Sequence, residues 1–139
     1  MANDNVRLRF EEDETGWGVR LSDSHIQIAN IPFSDRLNID DVVEAHEQDG
    51  RLSAGRVVAR TFHGKTAISY PEPFMETYGK LFDAWRAAGM KCEGLLGGLA
   101  LIAHHKDSDP VKVAQAAGVA VTLYVPQPAL EPFTAAEPS

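Results

Sequence analysis

Cysteine is almost absent from this chain. Cys92 stands alone among 139 residues, so no intrachain disulfide can form, and a reducing cytoplasm is the expected home. Long apolar runs are missing as well. The nearest, Leu95 to Ala103, is broken by two glycines and falls far short of the ~20 residues that a membrane-spanning helix needs. The opening MANDNVRLRF lacks the basic-then-apolar layout of a secretion signal. No P-loop, HExxH, GxSxG or paired-cysteine zinc motif occurs anywhere, so the usual phosphate-cradling, metalloprotease, serine-hydrolase and zinc-finger chemistries have no signature here. These absences point to a soluble binding protein that is not an enzyme and carries no cofactor.

Positive charge is also scarce. Lys and Arg number 13 against 20 Asp and Glu, a net of −7. Residues 1–64 hold twelve acidic side chains against seven arginines, a net of −5. Such a surface repels phosphate backbones and disfavours nucleic acid as a partner. It attracts a basic partner and raises the encounter rate with one. The carboxylates bunch at Glu11–Glu14 and across Asp35, Asp40, Asp41, Glu44, Glu47 and Asp49.

What is present reads first as short strands. Val6, Leu8 and Phe10 alternate with Arg7, Arg9 and Glu11, the period-2 pattern of a half-buried strand. EDETGWG is expected to turn the chain, after which Trp17, Val19 and Leu21 alternate through a second strand. Ile26 and Ile28 mark a third, ended by Pro32, which cannot continue a ladder. Val42 to His46 and Leu52 to Thr61 form a hairpin around Asp49-Gly50, a pair suited to the positive φ angles of tight turns. Thr66 to Tyr70 is a further strand.

The second half changes period. Pro73 suits a helix start, and Phe74, Tyr78, Leu81, Phe82, Trp85 and Ala88 recur at helical spacing up to Gly89. This aromatic stripe reads as a core face. Lys91 to Leu96 and Leu99 to His105 are strands joined by Gly97-Gly98. Asp109 caps a helix beginning at Pro110, and Val119 to Val125 is a last strand. From Thr66 the order is strand, helix, strand, strand, helix, strand, the split βαβ pattern. The expected class is α+β: a small antiparallel β-barrel-like half over 1–64 packed on a ferredoxin-like half over 65–126, with 127–139 an unstructured tail rich in Pro, Ala and Glu.

The stretch HIQIANIPFSDRLNIDDVVEAHEQDGRLSAGRVVAR resembles the family catalogued as domain of unknown function 4265. That family carries a strand ending Asn-Ile-Pro-Phe, a Gly-Asp-Val-Val-Glu-Ala turn and strand, and an Asp-Gly-Arg-Leu hairpin leading to Arg-Val-Val. The matching elements are Asn30 to Phe33, Asp40 to Ala45, Asp49 to Leu52 and Arg56 to Val58. The family's turn glycine is Asp40 here, a residue less suited to a left-handed conformation. The resemblance implies the fold and no chemistry. Small families of this kind sometimes act as immunity proteins beside secreted toxins.

Candidate chemical clusters have plainer readings. His104 and His105 precede Asp107 and Asp109, but adjacent strand residues face opposite ways, so a strand end is expected rather than a metal site. Cys92 follows Lys91, whose charge would lower a thiol pKa slightly; no base partner accompanies it, so it reads as structural. The glycine-bearing TGWG and GLLGG lack the strand-to-helix context of phosphate loops and read as turns. Trp17 sits beside carboxylates and is either an exposed interface anchor or a plug for the open end of a barrel. The favoured function is an immunity or inhibitor protein that neutralises a basic partner such as a bacterial toxin. Its contact face is assigned to Glu12, Asp13, Trp17, Asp35, Asp41, Glu47 and Asp49. The alternative is a small-molecule-binding regulatory domain with a pocket between the two halves.

Overall fold

A computed structural model describes residues 4–70, 74–95 and 98–123, with the side chains of 74–78 left aside. The expected tail at 127–139, and the end of the last expected strand, lie outside the described residues. The chain divides into two compact units, the boundary falling between Phe62 and His63. The class is α+β, with mostly antiparallel sheets and two helices.

The first unit is a five-stranded sheet: β1 (Asn5–Glu11), β2 (Glu14–Arg20), β3 (His25–Ile28), β4 (Val42–Gln48) and β5 (Arg51–Ala59). Successive strands pair antiparallel, and β1 meets β5 in parallel at Arg9 and Ser53, so the sheet closes on itself. Alternation directs Leu8, Phe10, Ile26, Ile28, Val43 and Val57 inward, where they form the core with Leu37. Asp49 and Gly50 take φ values of 56° and 74° at the β4–β5 turn, the pairing of positive angles that a two-residue hairpin requires.

β2 departs from expectation in two ways. TGWG is not a turn but part of the strand, and Gly16 and Gly18 are its buried face, with Trp17 outside. The reason is space. A Cβ at Gly16 would stand 2.3 Å from the Phe10 ring, and one at Gly18 would stand 2.4 Å from Ile26 Cγ2. Large neighbours fill the interior, so the glycine face turns inward and Trp17 is left 48 % exposed. It plugs nothing.

Between β3 and β4 the chain crosses residues 29–41. Asp40 adopts φ 67°, a left-handed conformation that Asp takes more readily than most residues other than Gly and Asn. Its amide donates to the Ile28 carbonyl at 2.8 Å, which holds the turn.

The second unit contains β6 (Gly64–Ser69), α1 (Phe74–Ala87), β7 (Lys91–Leu95), β8 (Leu99–His104), α2 (Pro110–Ala116) and β9 (Thr122–Leu123). The strands lie in the order β7-β8-β6-β9, each neighbouring pair antiparallel. Leu81, Phe82 and Trp85 are buried; Phe74 and Tyr78 of the expected stripe lie outside the described side chains. Trp85 stands edge-on to Phe82 with centroids 5.4 Å apart, and its indole N–H donates to the Pro110 carbonyl at 2.9 Å. Asp109 caps α2, its carboxylate accepting from the Val111 and Lys112 amides. His104 is tied within its own sheet, with Nε2 2.8 Å from the Thr66 hydroxyl. Cys92 corrects the expectation drawn from Lys91: burial pushes its thiol up to about 11, and the opposing cation is Arg86.

Candidate functional site

The seven residues assigned to a contact face separate into three environments. Glu12, Asp13, Asp35 and Asp49 are exposed and line two grooves at one end of the first unit. One groove, of about 540 Å³, includes Asp13, Phe33 and Asp35; the other, of about 400 Å³, includes Glu12 and Asp49. Glu11 and Arg36 line both, so the two share a wall.

This rim is held by Glu11 and Glu14, which the sequence shows only as part of an acidic run, together with Ser34 and Arg36. Glu14 accepts from the Phe33 amide at 2.7 Å and the Ser34 amide at 3.1 Å. Glu11 accepts from the Ser34 hydroxyl and faces Arg36 Nε at 3.7 Å. Arg36 in turn donates to the Gly55 and Ala54 carbonyls at 2.8 and 3.2 Å. Charge-assisted bonds of this kind are the stronger ones. They splint the loop to β1, β2 and β5, and they hold Phe33 with 64 % of its surface exposed. Pro32 had marked the end of a strand; a lone aromatic directly after it, among polar residues, was the available signal for an outward-facing Phe33.

Asp41 is a correction. It is 0 % exposed and belongs to no contact face. Its carboxylate accepts from Arg60 Nε at 2.9 Å and Arg60 Nη2 at 2.6 Å, and from the Asn38 amide at 2.7 Å. Neither side chain of the pair reaches solvent. Arg60 Nη2 also donates to the Arg36 carbonyl at 2.8 Å, and Asn38 Nδ2 donates to the Phe62 carbonyl at 3.0 Å. A carboxylate that must sit in a dry interior needs this many donors. Asp41 organises the 29–41 loop from below.

Trp17 and Glu47 are set apart from the acidic rim. Trp17 lies on the outer face of β2 with the Arg7 guanidinium 5.2 Å from its ring centroid. Glu47 lines a third groove with Arg7, Arg9 and Arg51, and Arg9 also lines the groove of Glu12 and Asp49. Glu44, on the surface of β4, pairs with Arg56 at 3.0 Å. The hydrogen bond and charge of Arg56 hold the Glu44 carboxyl below its ordinary range. Negative charge is therefore not uniform over the unit: part is paired with arginine, while Asp13 and Asp35 stay exposed in the groove of Phe33 and Glu12 and Asp49 in the adjoining one. Among the described residues no three His, Cys, Asp or Glu side chains converge as a metal ion would require, and no helix is long and apolar enough to cross a membrane.

The chain matches no family model, and no curated protein matches it. Among solved structures it is similar to a hypothetical protein from Neisseria gonorrhoeae, with a TM-score of 0.53 and 16 % identity. The likeness covers 89 % of this chain and 94 % of that one. At that identity the likeness concerns the fold and carries no chemistry.

Proposed function

We propose that this chain is a non-enzymatic binding protein that captures a basic protein partner on the rim around Phe33, in the manner of an immunity or inhibitor protein facing a bacterial toxin. We read its first unit as a small barrel and its second as ferredoxin-like, the latter from the β7-β8-β6-β9 order with helices between β6 and β7 and between β8 and β9. The sequence stretch from His25 to Arg60 supports kinship with the domain of unknown function 4265 family.

The observation that carries the functional reading is the exposed phenylalanine fixed among carboxylates. The backbone amides of Phe33 and of Ser34 both donate to the Glu14 carboxylate, and Asp13 and Asp35 share the groove of Phe33. An apolar anchor in a preorganised setting contributes affinity with little ordering cost. Surrounding carboxylates steer a basic partner toward it. Asp41 is excluded from this surface, and the rim is carried by Glu12, Asp13, Asp35 and Asp49.

The test is a salt-graded pull-down with the full chain and with the Glu12→Lys, Asp13→Lys, Asp35→Lys, Asp49→Lys quadruple variant. Each reversal changes the charge by two, so the net of −7 becomes +1. The expected result is a basic protein retained by the parent at low salt, released as salt rises, and absent from the variant. Identical recovery by both chains at every salt concentration rejects the reading.

A further inference from the structure

The first unit also carries a cationic groove that its overall charge conceals. β1 and β5 run parallel where the sheet closes, with Arg9 opposite Ser53 and Arg9 Nε 3.4 Å from the Ser53 hydroxyl. That bond places both side chains on the outer face. Two residues back along each strand stand Arg7 and Arg51. Residues two apart share a face and neighbouring strands lie roughly 5 Å apart, so the closure brings three arginines together on one surface. They line an open groove of about 490 Å³ with Thr15, Glu47 and Leu52.

Three features mark this groove as more than a solvated patch. First, acidic residues outnumber basic ones 20 to 13 in this chain, and Arg36, Arg56 and Arg60 each pair with a carboxylate. Among the described residues, Arg7, Arg9 and Arg51 form no ion pair, although Glu47 lines the same groove. Second, two of the guanidiniums are oriented by fixed neighbours: Arg7 lies over Trp17 at 5.2 Å, and Arg9 is tied to Ser53. Third, gathering like charges on one surface favours an anion there, even though Arg9 also borders the groove of Glu11, Glu12 and Asp49.

We propose that this groove binds a small phosphate monoester. Guanidinium groups match phosphate oxygens bidentately, and a volume of this size suits a small molecule. Glu47 refines the chemistry: its carboxylate repels a dense polyanion and accepts from a hydroxyl or amino group. The ligand therefore carries one phosphate and a hydrogen-bond donor. A nucleic-acid strand is disfavoured by Glu47 and by the net charge of −7.

The experiment is a thermal-shift and calorimetric titration of the full chain at constant ionic strength. The probes are inorganic phosphate, adenosine monophosphate and a single-stranded oligonucleotide. Parallel titrations use Arg9→Gln, Arg51→Gln and, as a surface control, Arg56→Gln, each first checked for parental circular dichroism. The expected result is saturable binding of adenosine monophosphate in the micromolar to low-millimolar range, weakened about tenfold or more by Arg9→Gln and by Arg51→Gln. Arg56→Gln should leave it unchanged. Binding of inorganic phosphate alone, with the same arginine dependence, also supports a phosphate site and reassigns the source of the anion. The proposal is overturned if neither phosphate probe binds saturably up to about 10 mM. Equal binding by Arg9→Gln and parent also overturns it. So does tight oligonucleotide binding that outcompetes the mononucleotide.

Discussion

Replacing Asp41 with asparagine preserves the shape of the side chain and removes its charge, which isolates the part played by the buried ion pair. In the parent, the carboxylate accepts two bonds from Arg60 and one from the Asn38 amide, with both side chains of the pair at 0 % exposure. Asparagine offers one acceptor oxygen in place of two and turns an amide N–H₂ toward a guanidinium that only donates. The Arg60 guanidinium then loses its carboxylate counter-charge in a dry site, a change that costs about 3–5 kcal/mol. Against a stability of roughly 5–15 kcal/mol for a domain, that is a large fraction. Urea unfolding followed by circular dichroism should show the free energy of unfolding falling by that amount, with the midpoint lowered in proportion. The Asn38 amide, deprived of its acceptor, should exchange with solvent faster than in the parent. A double variant, Asp41→Leu with Arg60→Met, removes both charges and should recover part of the loss. A cost below about 0.5 kcal/mol for Asp41→Asn would show that the pair is solvated or dispensable and would refute the argument that it organises the 29–41 loop.

Other consequences are equally direct. Trp85→Ala removes a fully buried ring and its bond to the Pro110 carbonyl and should cost about 3–5 kcal/mol in the same assay. Gly18→Ala places a Cβ 2.4 Å from Ile26 Cγ2 and 3.0 Å from the Gln27 carbonyl oxygen, and should cost about 1–3 kcal/mol by overpacking the interior. With its thiol pushed up to about 11 by burial, Cys92 should alkylate slowly at pH 8 and faster as pH approaches 11. The same shift has a stability consequence. A raised folded-state value means that the protonated thiol is favoured by folding, so this contribution is complete below about pH 9, the ordinary value, and lost as pH rises toward 11. Rapid alkylation at neutral pH would contradict the placement of Cys92.

Much of this architecture was legible because it is local. The alternation of Val6, Leu8 and Phe10, the Asp49-Gly50 turn and the cap at Asp109 each depend on residues a few positions apart. The left-handed backbone at Asp40 was harder to read, because Asp adopts that angle less readily than glycine. The face of β2 was harder. Trp17, Val19 and Leu21 look like the buried register, but the space inside is taken by Phe10 and Ile26 from flanking strands, and only glycine fits there. Asp41 reads as one more carboxylate in an acidic run; its partner, Arg60, lies 19 residues on, and nothing local marks the pair. The gathering of Arg7, Arg9 and Arg51 depends on where the sheet closes, which no periodicity encodes. The desolvation of Cys92 arises from packing against the core of the second unit and outweighs any charge carried by its sequence neighbour.

The central claim is that Phe33 anchors a basic partner and that the surrounding carboxylates steer it. The most direct measurement is the dissociation rate of the recovered partner from Phe33→Ala, compared with the parent chain at the same net charge. Loss of a central apolar anchor should raise that rate about 30-fold or more, corresponding to roughly 2 kcal/mol, while association changes little. An unchanged dissociation rate would mean that charge alone holds the partner, and it would contradict a recognition site built around Phe33.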